Sequence, residues 1–333
     1  MIGLLDKEHS QMGNSSTSAK VLLEGNDLDL SKLCNARQNN SYMMMKDIHS
    51  GGIISMLTQE KVFESHSNLA ASITHASSKQ TYYTVFLLVD HGMTQDAYRA
   101  YAYFRWLDDQ LDMGGLNKAE CLAFVRRETA LVDQCYGIER NDSPRLLCEE
   151  EYMLVDLIRS DPQSNTGLEL YVRNMMAVMA FDAERRGRLI TQQELDDYSY
   201  RLAKAVTEAL HYFIGQRCGS PQCESRYLAV TGAHVVHMLR DILEDIEAGY
   251  FNIPSEYLTE HGIGPQDVTS DAYRAYVKSR VELARSCFDA GKEYLAQVEN
   301  LRCRLTGYAY MARFTPILNM IEHDDYLLRA HYR

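Results

Sequence analysis

Proline occurs six times in 333 residues and tryptophan once. Few prolines leave room for long helices, because proline removes a backbone donor and clashes with the preceding turn. Alternation of β-branched with polar residues is scarce, and no strand–helix–strand pattern or fixed-period repeat is found, which argues against a parallel sheet or a solenoid. No run approaches the roughly 18 uninterrupted apolar residues of a membrane span. Basic residues are in deficit, 34 Lys and Arg against 46 Asp and Glu, for a net charge of −12. A general nucleic-acid binder needs the opposite balance to neutralise phosphates, although a local basic pocket for a small phosphorylated ligand is compatible with it. None of the eight cysteines forms a CxxC pair, and Cys218 and Cys223 have no second pair at zinc-site spacing. Reduced intracellular thiols are expected. MIGLLDKEHS at the start has no basic region followed by an apolar run, and YLLRAHYR at the end carries no anchor. The chain reads as cytoplasmic, with at most peripheral membrane contact.

What is present is helical material. With 46% hydrophobic residues a large core is available. Residues 1–60, with QMGNSSTSAK and NARQNNSYMMMKDIHSGG, are polar and weakly periodic, so the composition predicts a flexible or loosely packed extension. From residue 61 to 333 apolar residues recur at three- and four-residue spacings, which predicts one all-α domain. Thr191 followed by Glu194 predicts a capping box at the start of the amphipathic stretch TQQELDDYSYRLAKAVTEALHYFIG. Gly249 and Pro254 predict the end of YLAVTGAHVVHMLRDILEDIEAG.

Two apolar stretches carry acids that an apolar helix has no local reason to hold. YRAYAYFRWLDDQLDM contains Asp108, Asp109 and Asp112, and LRDILEDIEAG contains Asp241, Glu244 and Asp245. Asp108 and Asp112 are four apart, as are Asp241 and Asp245, so each pair shares one helix face a turn apart. One such pair alone would be a solvated face. Two matching pairs on two apolar helices fit a pair of facing metal sites. Mg²⁺ prefers oxygen donors and is usually held by one or two carboxylates plus substrate phosphates. Arg105 precedes Asp108 by three positions and Arg240 directly precedes Asp241, and guanidinium forks suit phosphate oxygens. Tyr101, Tyr103, Phe104 and Trp106 surround the first motif, and Tyr198 and Tyr200 lie on another helix. Metals that draw a diphosphate off an allylic carbon, with π-faces to shelter the cation, would use all these groups. Tyr101 and Tyr200 are the candidates for the reacting centre.

These residues resemble the squalene/phytoene synthase family. The similarity lies in YAYFRWLDDQLD, in LRDILEDIEAGYFNIP, in RRGRLITQQELDDYSYRLAKAV, in HASSKQTYYTVFLL and in YMARFTPILNMIEHDDY, which together cover roughly residues 66–329. The resemblance implies an isoprenoid synthase fold around a central cavity. It implies two or three Mg²⁺ ions on Asp108, Asp112, Asp241 and Asp245, with Asp109 and Glu244 as lesser ligands. Diphosphate would meet Lys79, Arg105 and Arg240. It implies joining of two prenyl diphosphates, farnesyl or geranylgeranyl, head to head through a cyclopropyl intermediate. NADPH, used by the squalene synthases, is left open.

Departures from the family pattern are specific. His234 and His237 stand where the family has Gln and Asn, at substrate-facing and metal-adjacent positions. Leu202-Ala203-Lys204 replaces a glycine-containing stretch, so a straighter helix is expected there. Diphosphate ionisation is therefore better supported than the second prenyl site. Two alternatives stay open: transfer of the prenyl group to a small, for example aromatic, acceptor beside His234 and His237, or a non-catalytic assembly factor. Intact, mutually repelling acids argue against the last.

Overall fold

The computed structural model describes residues 69–112, 115–137, 146–161, 163, 165–215 and 219–332. The expected extension, 1–60, lies outside them. After a helical stretch at 69–77, the helices are α1 (Lys79–Leu88), α2 (Thr94–Asp112), α3 (Lys118–Cys135), α4 (Glu149–Arg159), α5 (Gly167–Arg185), α6 (Gln192–Phe213), α7 (Leu228–Ala248), α8 (Ser255–His261), α9 (Asp271–Ala296) and α10 (Leu301–His323). Among the described residues there is no strand, only an isolated bridge between Ile190 and Pro254. The all-α expectation holds, and no described helix is long and apolar enough to cross a membrane.

Helix α7 is the axis of the bundle. Its buried residues, from Ala229 through Val236 to Ile242, fall on nearly every side of its first four turns. A helix apolar all round must be enclosed, and α7 packs against α6, α9 and α10. The approach to α9 is very close. A Cβ built on Gly291 would lie 2.8 Å from the Ala229 Cβ and 2.9 Å from its Cα, inside van der Waals contact with backbone that cannot step aside. Gly291→Val should therefore cost about 1–3 kcal/mol by overpacking. A urea midpoint unchanged from the native chain would show that α7 and α9 can separate freely.

The start of α6 forms as its sequence predicts. The Thr191 hydroxyl accepts from the Glu194 amide at 3.2 Å, and the Glu194 carboxylate accepts from the Thr191 amide at 2.8 Å. Arg188 adds a 2.8 Å contact to the same carboxylate. That hydrogen bond, with the Thr191 amide, pulls the Glu194 pKa from 4.5 down to about 2. A depressed carboxylate pKa stabilises the fold above the unfolded value, and the benefit fades as pH falls through the folded one. The stability gap between the native chain and Glu194→Gln should thus be full above pH 4.5 and close as pH falls toward about 2. A gap that stays constant in acid denaturation series would assign it to packing instead. Helix α6 then runs unbroken to Phe213 through Leu202-Ala203-Lys204, as the missing glycine suggests.

Two turns come together at one end of the bundle. Gly249 closes α7 in the left-handed region, φ 85°, where glycine has no steric penalty. Its carbonyl accepts from the Gly187 amide at 2.8 Å, and the Ile190 carbonyl accepts from the Ser255 amide at 2.8 Å. The α5–α6 turn is thereby fastened to the α7–α8 turn.

Candidate active site

Beneath those fastened turns is a cavity of about 140 Å³. Helix α2 contributes Asp108, Leu111 and Asp112, and α5 contributes Met175, Val178, Met179, Asp182 and Arg185. Tyr198 and Leu202 come from α6, His234, His237, Met238, Asp241, Glu244, Asp245 and Ala248 from α7, and Tyr250 and Asn252 from the turn after it. Both acidic motifs, more than a hundred residues apart in the chain, therefore open into one space. The apolar wall holds Met175, Met179 and Met238. Thioether side chains have three rotatable bonds and repack easily, so this volume, below the roughly 300 Å³ of a common ligand pocket, can enlarge.

The carboxylates are held by neighbours. Arg240 donates to Asp241 through Nε at 2.6 Å and Nη2 at 2.7 Å. Arg240 Nη2 also lies 3.0 Å from His237 Nε2. A guanidinium only donates, so His237 Nε2 accepts and its proton sits on Nδ1. Nδ1 faces Asp241 Oδ2 at 3.3 Å. Asn252 donates to Asp245 Oδ2 at 2.8 Å. Arg105 pairs with Asp108 at 3.5 Å and more closely with Asp109. Burial would lower its pKa, but Asp109 and Asp108 hold it above the ordinary value. Both arginines are thus engaged by the acids beside them, and gripping a diphosphate would require them to change partners.

A second network lines the cavity that the sequence reading did not single out. Arg185, 5% exposed, donates to Asp182 at 2.7 Å and to the Asn252 side-chain oxygen at 2.7 Å. Its guanidinium lies 4.8 Å from the Tyr198 ring centroid and 5.0 Å from that of Tyr250. The Tyr198 hydroxyl donates to Asp182 at 3.1 Å. A chain of contacts therefore runs Tyr198–Asp182–Arg185–Asn252–Asp245. Burial would lower the Arg185 pKa, yet Asp182 beside it raises it above the ordinary value, so it is a permanent cation in the wall. Burial, with Asp182, likewise lifts the Tyr198 and Tyr250 hydroxyls far above their usual range. The local signal was FDAER, which puts Asp182 and Arg185 three apart on one helix face.

Several expected site residues lie elsewhere. Tyr200 is 42% exposed and stacks edge-on against Tyr227, because two residues along a helix is about 200° of rotation and Tyr198 takes the inward face. Lys79 is exposed at the first turn of α1 and does not line the cavity. Asp109 is 45% exposed and outside the lining. Tyr101, Tyr103 and Phe104 are fully buried in the core rather than around the cavity; Tyr103 donates to Glu128 at 3.2 Å and Phe104 meets the Tyr171 ring edge. Glu244 lines the rim, 3.6 Å from His331. The aromatic walls of the cavity are Tyr198 and Tyr250 instead.

Known proteins share this fold. The squalene synthase HpnC from Alicyclobacillus acidocaldarius superposes with a TM-score of 0.62 at 16% identity, over 81% of this chain and 97% of that one. A dehydrosqualene synthase solved with a ligand gives 0.60 at 18% identity, over 81% and 90%. The helices therefore form the isoprenoid synthase fold. In sequence, the 15-cis-phytoene synthase of Synechocystis sp. (strain ATCC 27184 / PCC 6803 / Kazusa) is 28% identical over 231 residues, 61% of this chain and 67% of that protein. The chloroplastic phytoene synthase of Daucus carota is 24% identical over 261 residues, 75% of this chain and 62% of that one. The squalene/phytoene synthase profile matches residues 75–333, a span that contains both acidic motifs and every residue lining the cavity. A match of that extent, over the fold those structures share, means that this chain is a divergent member of the squalene/phytoene synthase family of diphosphate-releasing prenyltransferases.

Proposed function

We propose that the protein joins two prenyl diphosphates head to head in a Mg²⁺-dependent reaction. One observation carries the reading: Asp108, Asp112, Asp241 and Asp245, from two distant helices, line a single cavity with an apolar floor. Their hard oxygen donors suit Mg²⁺, two or three ions of it. Among the described residues no three His, Cys, Asp or Glu side chains gather tightly enough to hold an ion unaided. Each acidic pair would supply one or two carboxylates to an ion completed by substrate phosphates. Bound there, Mg²⁺ would stabilise the charge of the departing diphosphate.

The chain's own residues do the rest. Arg240 and His237 fix the orientation of Asp241, and Asn252 that of Asp245. Asp182 and Asn252 hold Arg185 between the Tyr198 and Tyr250 rings. The methionines, Val178 and Leu202 exclude water from the hydrocarbon and from the cation formed on it. Farnesyl and geranylgeranyl diphosphate are the substrates of choice, the second because the relatives above are phytoene synthases by name.

The test is to incubate the purified protein with Mg²⁺ and geranyl, farnesyl or geranylgeranyl diphosphate, one at a time, following diphosphate release and product mass. A hydrocarbon of doubled chain length is expected. Release with the prenyl group on another acceptor, or no release at all, overturns the reading.

A further inference from the structure

His234 is a buried histidine without a hydrogen bond. It is 3% exposed, and among the described residues neither ring nitrogen has a hydrogen-bond partner. Other well-placed histidines of this chain are satisfied. His211 Nε2 meets the Tyr294 hydroxyl at 3.0 Å, and His261 Nδ1 meets the Tyr257 carbonyl at 3.0 Å. A histidine retained only to fill space would be expected to find such a partner, because leaving a buried polar group unpaired is costly. His234 lines the cavity, edge-on to the Tyr198 ring with centroids 5.2 Å apart. It precedes Asp241 by seven residues on α7, about two turns or ~10 Å along the helix axis. The imidazole thus shares a helix face with Asp241, about two turns from the carboxylates that would hold diphosphate.

Burial keeps this ring neutral, and the neighbouring His237, Arg185 and Arg280 reinforce the effect. A neutral imidazole carries one N–H and one nitrogen lone pair. In the cavity lining, that lone pair is a basic group without a protein partner among the described residues.

Resting on the function proposed above, we propose that His234 is the base that ends the reaction, so that the product leaves by proton loss and not by hydride addition. At the terminating step the His234 lone pair takes a proton from the carbon next to the cationic centre. That C–H bond breaks, and its electron pair becomes the second bond of a new C=C. The cation is quenched and imidazolium is formed. The proton then passes to water or to released diphosphate, which restores the base. In balance, two prenyl diphosphates give one hydrocarbon, two diphosphates and two protons, one shed when the chains join and one at termination. No reductant enters. The hydrocarbon is lighter by two hydrogen atoms than a hydride-capped product of the same chain length. Even a weak base suffices here, since a carbon next to a carbocation is a far stronger acid than imidazolium.

Product mass with and without NADPH, and products per diphosphate released by His234→Phe and His234→Gln, test this with Mg²⁺ and geranylgeranyl diphosphate. The native chain should give the lighter hydrocarbon whether or not NADPH is added. In His234→Phe its share per diphosphate released should fall by about tenfold, with water-captured alcohols in its place. An unchanged share, or a hydride-capped product from the native chain, overturns the assignment. Calorimetry with geranylgeranyl dimethylammonium, a stable stand-in for the cation whose N–H can donate to imidazole, requires no turnover. The native chain should bind it about tenfold more tightly than His234→Phe, the order expected of one hydrogen bond to a charged group. His234→Gln should fall between, because its side-chain carbonyl still accepts. Equal binding by folded variants, with helical circular dichroism preserved, overturns the proposal. Should the native chain release no diphosphate, the proposed function fails by itself, and the ammonium titration still decides the role of His234.

Discussion

Asp241→Ala should lower Mg²⁺-supported diphosphate release by about a thousandfold, ~4 kcal/mol of barrier. Asp241 is 16% exposed, lines the cavity, and is well supported: it accepts two bonds from Arg240 and lies 3.3 Å from His237 Nδ1. Such support fixes an anion in one orientation, which a metal ligand needs and a solvated surface acid does not. Removing it takes away a donor and frees Arg240 to pair elsewhere in the cavity. Asp109→Ala is the comparison, since the Asp109 side chain is nearly half exposed, outside the lining and, among the described residues, paired with Arg105; it should cost less than about tenfold, less than ~1.4 kcal/mol of barrier. Both variants should keep the native helical signal. If the two lose activity equally, the site is not built on the cavity acids but on the Arg105 pair. If Asp241→Ala retains activity, diphosphate is ionised elsewhere.

Arg185→Met should be the most destabilising single change near the site, by about 3 kcal/mol, since it leaves a partly buried carboxylate without its cation. Among the described residues Asp182 would keep the Tyr198 hydroxyl, and Asn252 would lose the contact that ties it to α5. Adding Asp182→Asn removes the stranded charge and should recover about half or more of the loss, a coupling of ~1.5 kcal/mol or more between contacting residues. Urea denaturation of the two single variants and the double variant measures it. Strict additivity would show that Arg185 contributes through its packing on Tyr198 and Tyr250 alone.

Much of this could be read from the chain itself. Six prolines, the three- and four-residue apolar spacing, the Thr191–Glu194 box and the Gly249 stop are local signals, and each names its own element. The Asp108/Asp112 and Asp241/Asp245 pairs are local too, because a four-residue spacing fixes a shared face wherever the helix goes. That the two pairs would meet followed from their likeness to one another, not from any property of either.

Other features depended on how faces are turned. Tyr200 and Tyr198 look alike in DDYSYRL, yet only one can point inward, and packing of α6 on α5 and α7 selects Tyr198. The better clue was Leu195 and Leu202, three before and four after Tyr198, both buried on the same stripe. The sequence offers Tyr103 and Phe104 as a cation shelter, but α2 turns them toward α3 and α5, where burying a large ring contributes most.

Sequence alone determined that this protein is a helical bundle with two acidic helix faces and a motif order like that of the squalene/phytoene synthases, because helix periodicity, caps and breakers act over a few residues. Only the tertiary structure decided what surrounds the acids. Asp182, Arg185 and Asn252 meet because the Gly187–Gly249 and Ile190–Ser255 hydrogen bonds fasten two turns about sixty residues apart. His234 is left without a hydrogen bond because the packing of α5, α6 and α7 buries it edge-on to Tyr198 with no donor or acceptor in reach among the described residues. Contacts between distant turns, and the absence of a partner inside an enclosed space, have no local periodicity from which they could be read.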